Sequence, residues 1–75
     1  MNTYKNTSGN SGVRCYEIGD DFVRVQFREG TIYLYTYCSA GQKNIEHMKK
    51  LAKLGRGLST FISQDVRNLF KKKER

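Results

Sequence analysis

Apolar and polar residues alternate between Val13 and Tyr37, which is the pattern of half-buried β-strands. This alternation predicts three strands, which span residues 13–18, 22–28 and 31–37. Gly-Asp-Asp at 19–21 and Glu-Gly at 29–30 are typical turn sequences between them. The segment is therefore predicted to form a three-stranded antiparallel meander.

The lengths of the two turns predict a register and two faces. With loops of three and two residues, Val25 lies between Cys15 and Leu34. One face is then predicted to be aliphatic, with Val13, Cys15, Val23, Val25, Phe27, Ile32 and Leu34. The other is predicted to carry Arg14, Tyr16, Ile18, Phe22, Arg24, Gln26, Arg28, Tyr33, Tyr35 and Tyr37. A one-residue slip would mix the two sets, so their separation favours this register.

The C-terminal part of the chain has helical periodicity. Residues 43–54 carry an apolar stripe with helical spacing, formed by Ile45, Met48, Leu51 and Ala52. Lysines occupy the opposite arc, namely Lys43, Lys49, Lys50 and Lys53. Glycines 55 and 57 end this helix. A second helix is predicted to begin at Ser59 or Ser63, with the stripe Ile62, Val66, Leu69 and Phe70.

Together these elements predict an α+β fold in the order βββαα, with the two short helices packed on the aliphatic face of the meander. The single domain is expected to span 13–70. The polar residues 1–12 are expected to be a flexible N-terminal tail, and 71–75 a basic C-terminal tail. Because 75 residues bury only a small core, no second domain is expected.

The net charge of +7 is concentrated in the C-terminal part. Residues 1–41 carry four basic and four acidic side chains, whereas residues 42–75 carry ten basic and three acidic ones. Such asymmetry indicates an anionic partner, most often nucleic acid or a membrane surface. The alternative is a charge that serves only solubility.

The predicted outer face combines tyrosine rings with guanidinium groups and carries no acidic residue. Aromatic rings stack on unpaired bases, and arginine binds phosphates or stacks itself. The candidate nucleic-acid-binding residues of this face are therefore Tyr16, Arg24, Arg28, Tyr33, Tyr35 and Tyr37. The basic helices and the C-terminal tail are expected to hold phosphates through charge alone, with Lys49, Lys50, Lys53, Arg67 and Lys71. Two alternatives remain open: a solvated sheet face without a ligand, and a protein interface, with a second protein or a second copy of the chain.

Signals for catalysis are weak. Cys15 and Cys38 lack the spacing of a zinc site or a disulfide framework, and His47 lies at the edge of the helical stripe. The chain shows no pair of carboxylates facing a cleft and no phosphate-binding loop. We expect a non-enzymatic protein without metal or cofactor. With no apolar run near the roughly 18 residues of a membrane span and no apolar leader, we expect a cytoplasmic protein with reduced cysteines and no membrane contact.

The chain resembles the KTSC domain family, which is named for its occurrence at the C-terminus of some lysyl-tRNA synthetases. The similar segments are FVRVQFREGTIYLYTY at 22–37 and GLSTFISQDVRNLF at 57–70. The matching residues are Phe27, Gly30, Tyr33, Tyr35, Phe61, Ile62, Val66, Arg67 and Phe70. The resemblance covers roughly residues 12–70 and implies no catalytic or binding residues. The synthetase association favours RNA as the partner by analogy.

Overall fold

The computed structural model describes residues 1–7, 9 and 12–75. Within these residues, five strands form one antiparallel sheet in the order β1-β2-β3-β4-β5. The strands are β1 (Asn2–Thr3), β2 (Val13–Ile18), β3 (Phe22–Phe27), β4 (Ile32–Thr36) and β5 (Lys72–Lys73). The helices are α1 (Tyr37–Ala40), α2 (Gln42–Leu54) and α3 (Leu58–Phe61), and α3 continues into a π-helical turn, Ile62–Val66. The α+β class is confirmed, but the described residues form five strands and three helices instead of the predicted three strands and two helices.

The helices pack on one face of the sheet, which we call the inner face. Its strands and the helices share one core of buried side chains. The largest fully buried residues are Tyr35, Ile45, Met48, Leu58, Val13, Val23, Val25 and Val66. Burial of this apolar area supplies the main free energy of folding, at roughly 25 cal/mol per Å².

The loop between β3 and β4 is one residue longer than expected. The N–H of Gly30 donates to the carbonyl of Phe27 at 2.9 Å, and the N–H of Phe27 donates to the carbonyl of Thr31 at 2.9 Å. Residues 28–30 therefore form a three-residue hairpin loop. Gly30 closes it with a φ of 99°, a left-handed conformation that favours glycine.

This extra loop residue exchanges the two sides of β4. Tyr35 pairs with Val23, which is fully buried, and Tyr33 lies on the same face because side chains alternate along a strand. Ile32 and Leu34 lie on the opposite face of the sheet, which we call the outer face. The expected register of this hairpin is therefore wrong by one residue, and its tyrosines point inward.

The loop between β2 and β3 is one residue shorter than expected. The N–H of Gly19 donates to the carbonyl of Phe22 at 3.0 Å, which leaves 20–21 as a two-residue loop. Ile18 consequently pairs with Val23 instead of Phe22. The pairing of the first hairpin is thus also displaced by one residue.

A bulge in β2 places both ends of this strand against the core. The register shifts at Arg14, between Val13 and Cys15. Val13 is buried before the bulge, and Tyr16 and Ile18 pack against the core after it. Cys15 lies on the outer face instead of the inner one. The expected faces of β2 are therefore wrong beyond the bulge.

Aromatic rings of β3, β4 and the C-terminal segment form a cluster beside this core. The Phe70 ring lies 4.7 Å from the Tyr33 ring and 6.4 Å from the Tyr35 ring, centre to centre. Phe27 contacts Tyr33 edge-on at 5.9 Å. Such pairs add about 0.5–1.5 kcal/mol each beyond their buried area.

The predicted first helix is confirmed as α2. It spans Gln42–Leu54, whereas the expected range was 43–54. At its C-terminal end, the N–H of Gly55 donates to the carbonyl of Leu51 at 3.0 Å. The φ of 84° at Gly55 makes it the left-handed cap that a glycine favours. The second helical segment begins at Leu58 without a side-chain cap, so the expected serine cap is not formed.

The N-terminal strand carries a core residue into the fold. Tyr4 follows β1 and is only 3% exposed. Its N–H donates to the carbonyl of Arg14 at 2.9 Å, and its hydroxyl accepts from the N–H of Leu58 at 3.3 Å. Tyr4 therefore connects the first strands to the start of α3.

The next residues contact the turn between α2 and α3. The N–H of Thr7 donates to the carbonyl of Gly55 at 2.8 Å. The expectation of a flexible tail over 1–12 is therefore wrong for 2–7. Three further residues of that tail lie outside the described residues, namely Ser8, Asn10 and Ser11.

The C-terminal residues form the opposite edge of the sheet. The N–H of Lys71 donates to the carbonyl of Leu34, and the N–H of Glu74 donates to the carbonyl of Ile32, both at 2.7 Å. The segment 71–75, expected to be a tail, instead contains an edge strand. Both edges of the sheet are thus covered by two-residue polar strands, which limits pairing with another chain.

Replacing Tyr4 tests whether the N-terminus belongs to the fold. Tyr4→Ala should lower the free energy of unfolding by about 3–5 kcal/mol in urea denaturation, because it removes a buried aromatic side chain. Tyr4→Phe should cost about 1 kcal/mol, because the N–H of Leu58 loses its acceptor. Thr3→Ala is the matched control on an exposed position and should change little. Equal costs for Tyr4→Ala and Thr3→Ala would contradict this role.

Candidate functional site

An open groove of about 480 Å³ runs along the exposed side of α2. Its lining residues are Lys43, Asn44, Glu46, His47, Lys50 and Phe61. Burial of Ile45 and Met48 in the core orients α2, so the opposite arc of the helix faces solvent. Lys43, His47 and Lys50 are spaced four and three residues apart, which places them on this arc.

Two aromatic rings meet in the groove. The Phe61 ring, at the end of α3, contacts the His47 ring edge-on with centres 4.6 Å apart. Phe61 is half-buried and packs against the core through its other side, whereas His47 is exposed. The groove therefore has an apolar wall that packs on the core, beside an exposed polar rim.

A polar network neutralises the acidic residue of the groove. The carboxylate of Glu46 accepts from the Tyr37 hydroxyl at 2.6 Å and lies 2.8 Å from the Lys49 ammonium. Lys49 also donates to the carbonyl of Asp20 at 2.8 Å, and its side chain is only 13% exposed. The Lys49 ammonium and then the Tyr37 hydroxyl lower the pKa of Glu46, while hydrogen bonding to Glu46 raises the pKa of both partners.

Two lysines of the groove keep their charge available. Within the described part of the chain, Lys43 and Lys50 form no ion pair. Because Glu46 is already paired with Lys49, the groove presents an apolar wall beneath uncompensated positive charge. Such a site suits an anionic ligand with a planar apolar part.

The tyrosines that were predicted to form a binding face are instead part of the inner side. Tyr35 is 1% exposed, and Tyr16 and Tyr33 pack against the same core. Tyr37 lies in α1, where its hydroxyl binds Glu46. The reason is the register of the two hairpins, which turns Tyr16, Tyr33 and Tyr35 away from Arg24.

Arg24 does lie on the outer face, but its charge is compensated. Its guanidinium lies 2.5 Å from a carboxylate oxygen of Glu17 and 2.5 Å from one of Glu74. It also lies over the Phe22 ring, 5.1 Å from the centroid. The hydrogen bonds that Arg24 donates to Glu74 and then to Glu17 raise the pKa of Arg24. The predicted Tyr/Arg stacking face is therefore absent, because the rings and the guanidinium lie on opposite sides.

The other predicted cations divide into two groups. Lys49 is held by Glu46 and is largely covered. Exposed side chains without an ion pair to any described residue are Arg28, Lys50, Lys53, Arg67 and Lys71. Sequence analysis missed His47 and Phe61 as parts of one site. Their helical positions were visible, but their contact depends on how α3 packs beside α2.

The outer face of the sheet is apolar around a charged centre. Phe22, Ile32 and Leu34 are half-buried there, beside the ion pairs of Arg24. The helices bury their apolar residues in the core on the inner side, so they leave this face accessible. It is a second surface that a partner could cover.

The described ranges 1–7, 9 and 12–75 contain neither a group of metal ligands nor a membrane-spanning helix. No three side chains of the types His, Cys, Asp and Glu lie together there in a way that could hold a metal ion. No helix in these ranges is long and apolar enough to cross a membrane. Cys15 and Cys38 are both free thiols.

Comparison with known proteins adds no relative to this description. The chain matches no protein-family model, and neither the curated proteins nor the solved structures include a significant match. The function is therefore argued from the geometry of the chain itself.

The pH at which Tyr35 ionises tests whether its side chain lies on the inner or the outer face of the sheet. Burial, with a smaller contribution from Tyr33, raises the pKa of Tyr35 to about 12. Tyrosinate absorbance should therefore include a late step near that pH, which Tyr35→Phe removes. Between pH about 10 and 12 the unfolded chain releases this proton while the folded chain keeps it, so the free energy of unfolding should fall as pH rises. Complete tyrosine ionisation near pH 10 in the folded protein would contradict this.

Proposed function

We propose that this chain is a small non-enzymatic module that binds single-stranded nucleic acid, RNA or DNA, on the exposed side of its helices. The observation that carries the proposal is the excess of unpaired positive charge in residues 42–75. Of the three acidic residues in 42–75, Glu46 is paired with Lys49 and Glu74 with Arg24, which leaves Asp65. Positive charge in this part of the chain is therefore largely uncompensated.

The cations involved are exposed and form no ion pair with a described residue. They are Lys43, Lys50, Lys53, Arg56, Arg67, Lys71, Lys72, Lys73 and Arg75. Lysine and arginine side chains in such numbers bind phosphates by releasing counterions, without reading sequence. The proposal drops the Tyr/Arg sheet face that the sequence patterns had suggested, and it retains a binding surface of helical and C-terminal cations.

The resemblance to the KTSC family supports this proposal. The residues that carry the resemblance include Tyr35, Ile62 and Val66, which are buried in the core. A family pattern made of core positions is what a shared fold produces. We therefore propose that the chain is a divergent KTSC domain. The occurrence of that domain in lysyl-tRNA synthetases agrees with an RNA partner by analogy.

Salt-dependent binding of a labelled single-stranded RNA tests the proposal. Fluorescence anisotropy should give a logarithmic affinity that falls linearly with the logarithm of salt concentration. The double variant Lys43→Gln, Lys50→Gln should weaken binding and reduce the slope by about 1.4, because each phosphate contact on a single strand contributes about 0.7.

The matched control removes two charges from the sheet, with Arg14→Gln and Arg28→Gln. Both arginines are exposed and belong to the sheet, at the bulge of β2 and in the β3–β4 loop. This control should bind nearly as well as the unchanged protein. An equal loss in both double variants would contradict the helical location. Absence of binding at low salt would contradict the function.

A second candidate function is association through the outer face of the sheet, with a protein partner or a second copy of the chain. The specific observation is that Phe22, Ile32 and Leu34 surround an arginine already paired with two carboxylates. A contact there would bury apolar area at roughly 25 cal/mol per Å² around an arginine whose own charge is already paired. The helical side would remain open for nucleic acid.

Sedimentation velocity over a wide range of protein concentration tests self-association. A dimer formed through this face should dissociate in Leu34→Glu, because the new carboxylate would be buried in the interface. Leu54→Glu, at an exposed position of α2, makes the same substitution with the same charge change and should leave the dimer intact. A monomer at every concentration would contradict the homodimer and leave only a different protein as the partner.

A further inference from the structure

The Phe61 ring is unusually placed for a residue of this helical segment. Its neighbours along the segment, Leu58 and Ile62, are 0% and 6% exposed and point into the core. Phe61 is half-buried and reaches the exposed side of α2, where it meets His47. One side of the ring is fixed by the core, so the ring is held in place at low entropic cost.

The charges beside this ring are spaced along one helix. Lys43 and Lys50 are seven residues apart in α2, which is two turns or about 10 Å along the axis. Glu46 lies between them in sequence, but its carboxylate is held by Lys49 and Tyr37. Two cations therefore flank the apolar wall, and the charge between them is already neutralised.

The shape and charge of this groove suit a nucleobase within a single strand. A nucleobase is planar and apolar on its faces, and in a strand it carries a phosphate on each side. The volume of about 480 Å³ lies within the range of small-molecule sites, roughly 300–1,000 Å³. Simple electrostatic attraction would need the lysines but not the ring.

We infer that the groove binds one unpaired nucleobase of a single strand, stacked against Phe61, with the flanking phosphates held by Lys43 and Lys50. This inference rests on the proposed function and names its base-binding site. His47 forms the side of the site, since its ring already contacts Phe61. The remaining cations of the helices and the C-terminus hold the rest of the strand by charge.

An abasic strand separates stacking from charge. We compare a labelled six-nucleotide deoxythymidine strand with a strand of the same length and the same phosphates in which every base is absent. The abasic strand should bind about 5- to 150-fold more weakly, the range given by one stacked base. Equal affinities would overturn the base site while the proposed function stands. Absence of binding by both strands would overturn both.

The variant Phe61→Leu tests whether the difference in affinity between the two strands comes from the Phe61 ring. Leucine keeps apolar volume against the core, so the variant should bind the abasic strand as well as the unchanged protein does. It should lose the preference for the strand with bases. Phe70→Leu is the matched control, because Phe70 packs on Tyr33 and Tyr35 and not in the groove. A preference that persists in Phe61→Leu, or disappears equally in Phe70→Leu, would overturn the assignment.

Nuclear magnetic resonance of the unchanged protein gives a second measurement that needs no variant. A base stacked on Phe61 should shift the ring protons of Phe61 and His47 through its ring current. The shift should appear with the deoxythymidine strand and be absent with the abasic strand at equal saturation. Equal shifts with both strands, or no shift with either at saturation, would overturn the inference.

Discussion

The three-residue loop at 28–30 determines which side of the sheet carries the aromatic rings. One residue more than a two-residue turn reverses the faces of β4, so Tyr33 and Tyr35 enter the core and Ile32 and Leu34 leave it. The loop therefore selects between two amphipathic faces that a strand of this composition could bury equally well. The aromatic cluster, the C-terminal strand and the outer face all follow from that choice.

Aromatic side chains connect both terminal segments to the rest of the fold. Tyr33 gives Phe70 a ring to pack on, and the backbone after Phe70 then pairs with β4 and brings Glu74 to Arg24. At the other edge, Tyr4 fills the core beneath the start of α3. A chain of 75 residues has few core positions, so one buried terminal residue such as Tyr4 matters for the core.

The same arrangement sorts the charges by surface. Arg24 on the outer face is paired with Glu17 and Glu74, and Glu46 near the helices is paired with Lys49. Three of the seven acidic side chains thus form ion pairs within the fold, and the cations of the helices and C-terminus remain. The outer face becomes apolar around a paired cluster of one arginine and two carboxylates, whereas the helical side becomes cationic beside an aromatic wall. Two surfaces of different chemistry lie on opposite sides of one small domain.

Local patterns were sufficient to predict three central strands, α2 and the asymmetry of charge, because alternation, helical periodicity and composition depend on neighbours in the chain. They were insufficient for the register, because Ile32 with Leu34 and Tyr33 with Tyr35 are both credible core pairs. Two-residue strands carry no periodicity, so the strands at both termini escaped detection. The groove depends on Phe61 meeting His47. Only tertiary packing decided these features, since each depends on contacts between residues distant in sequence.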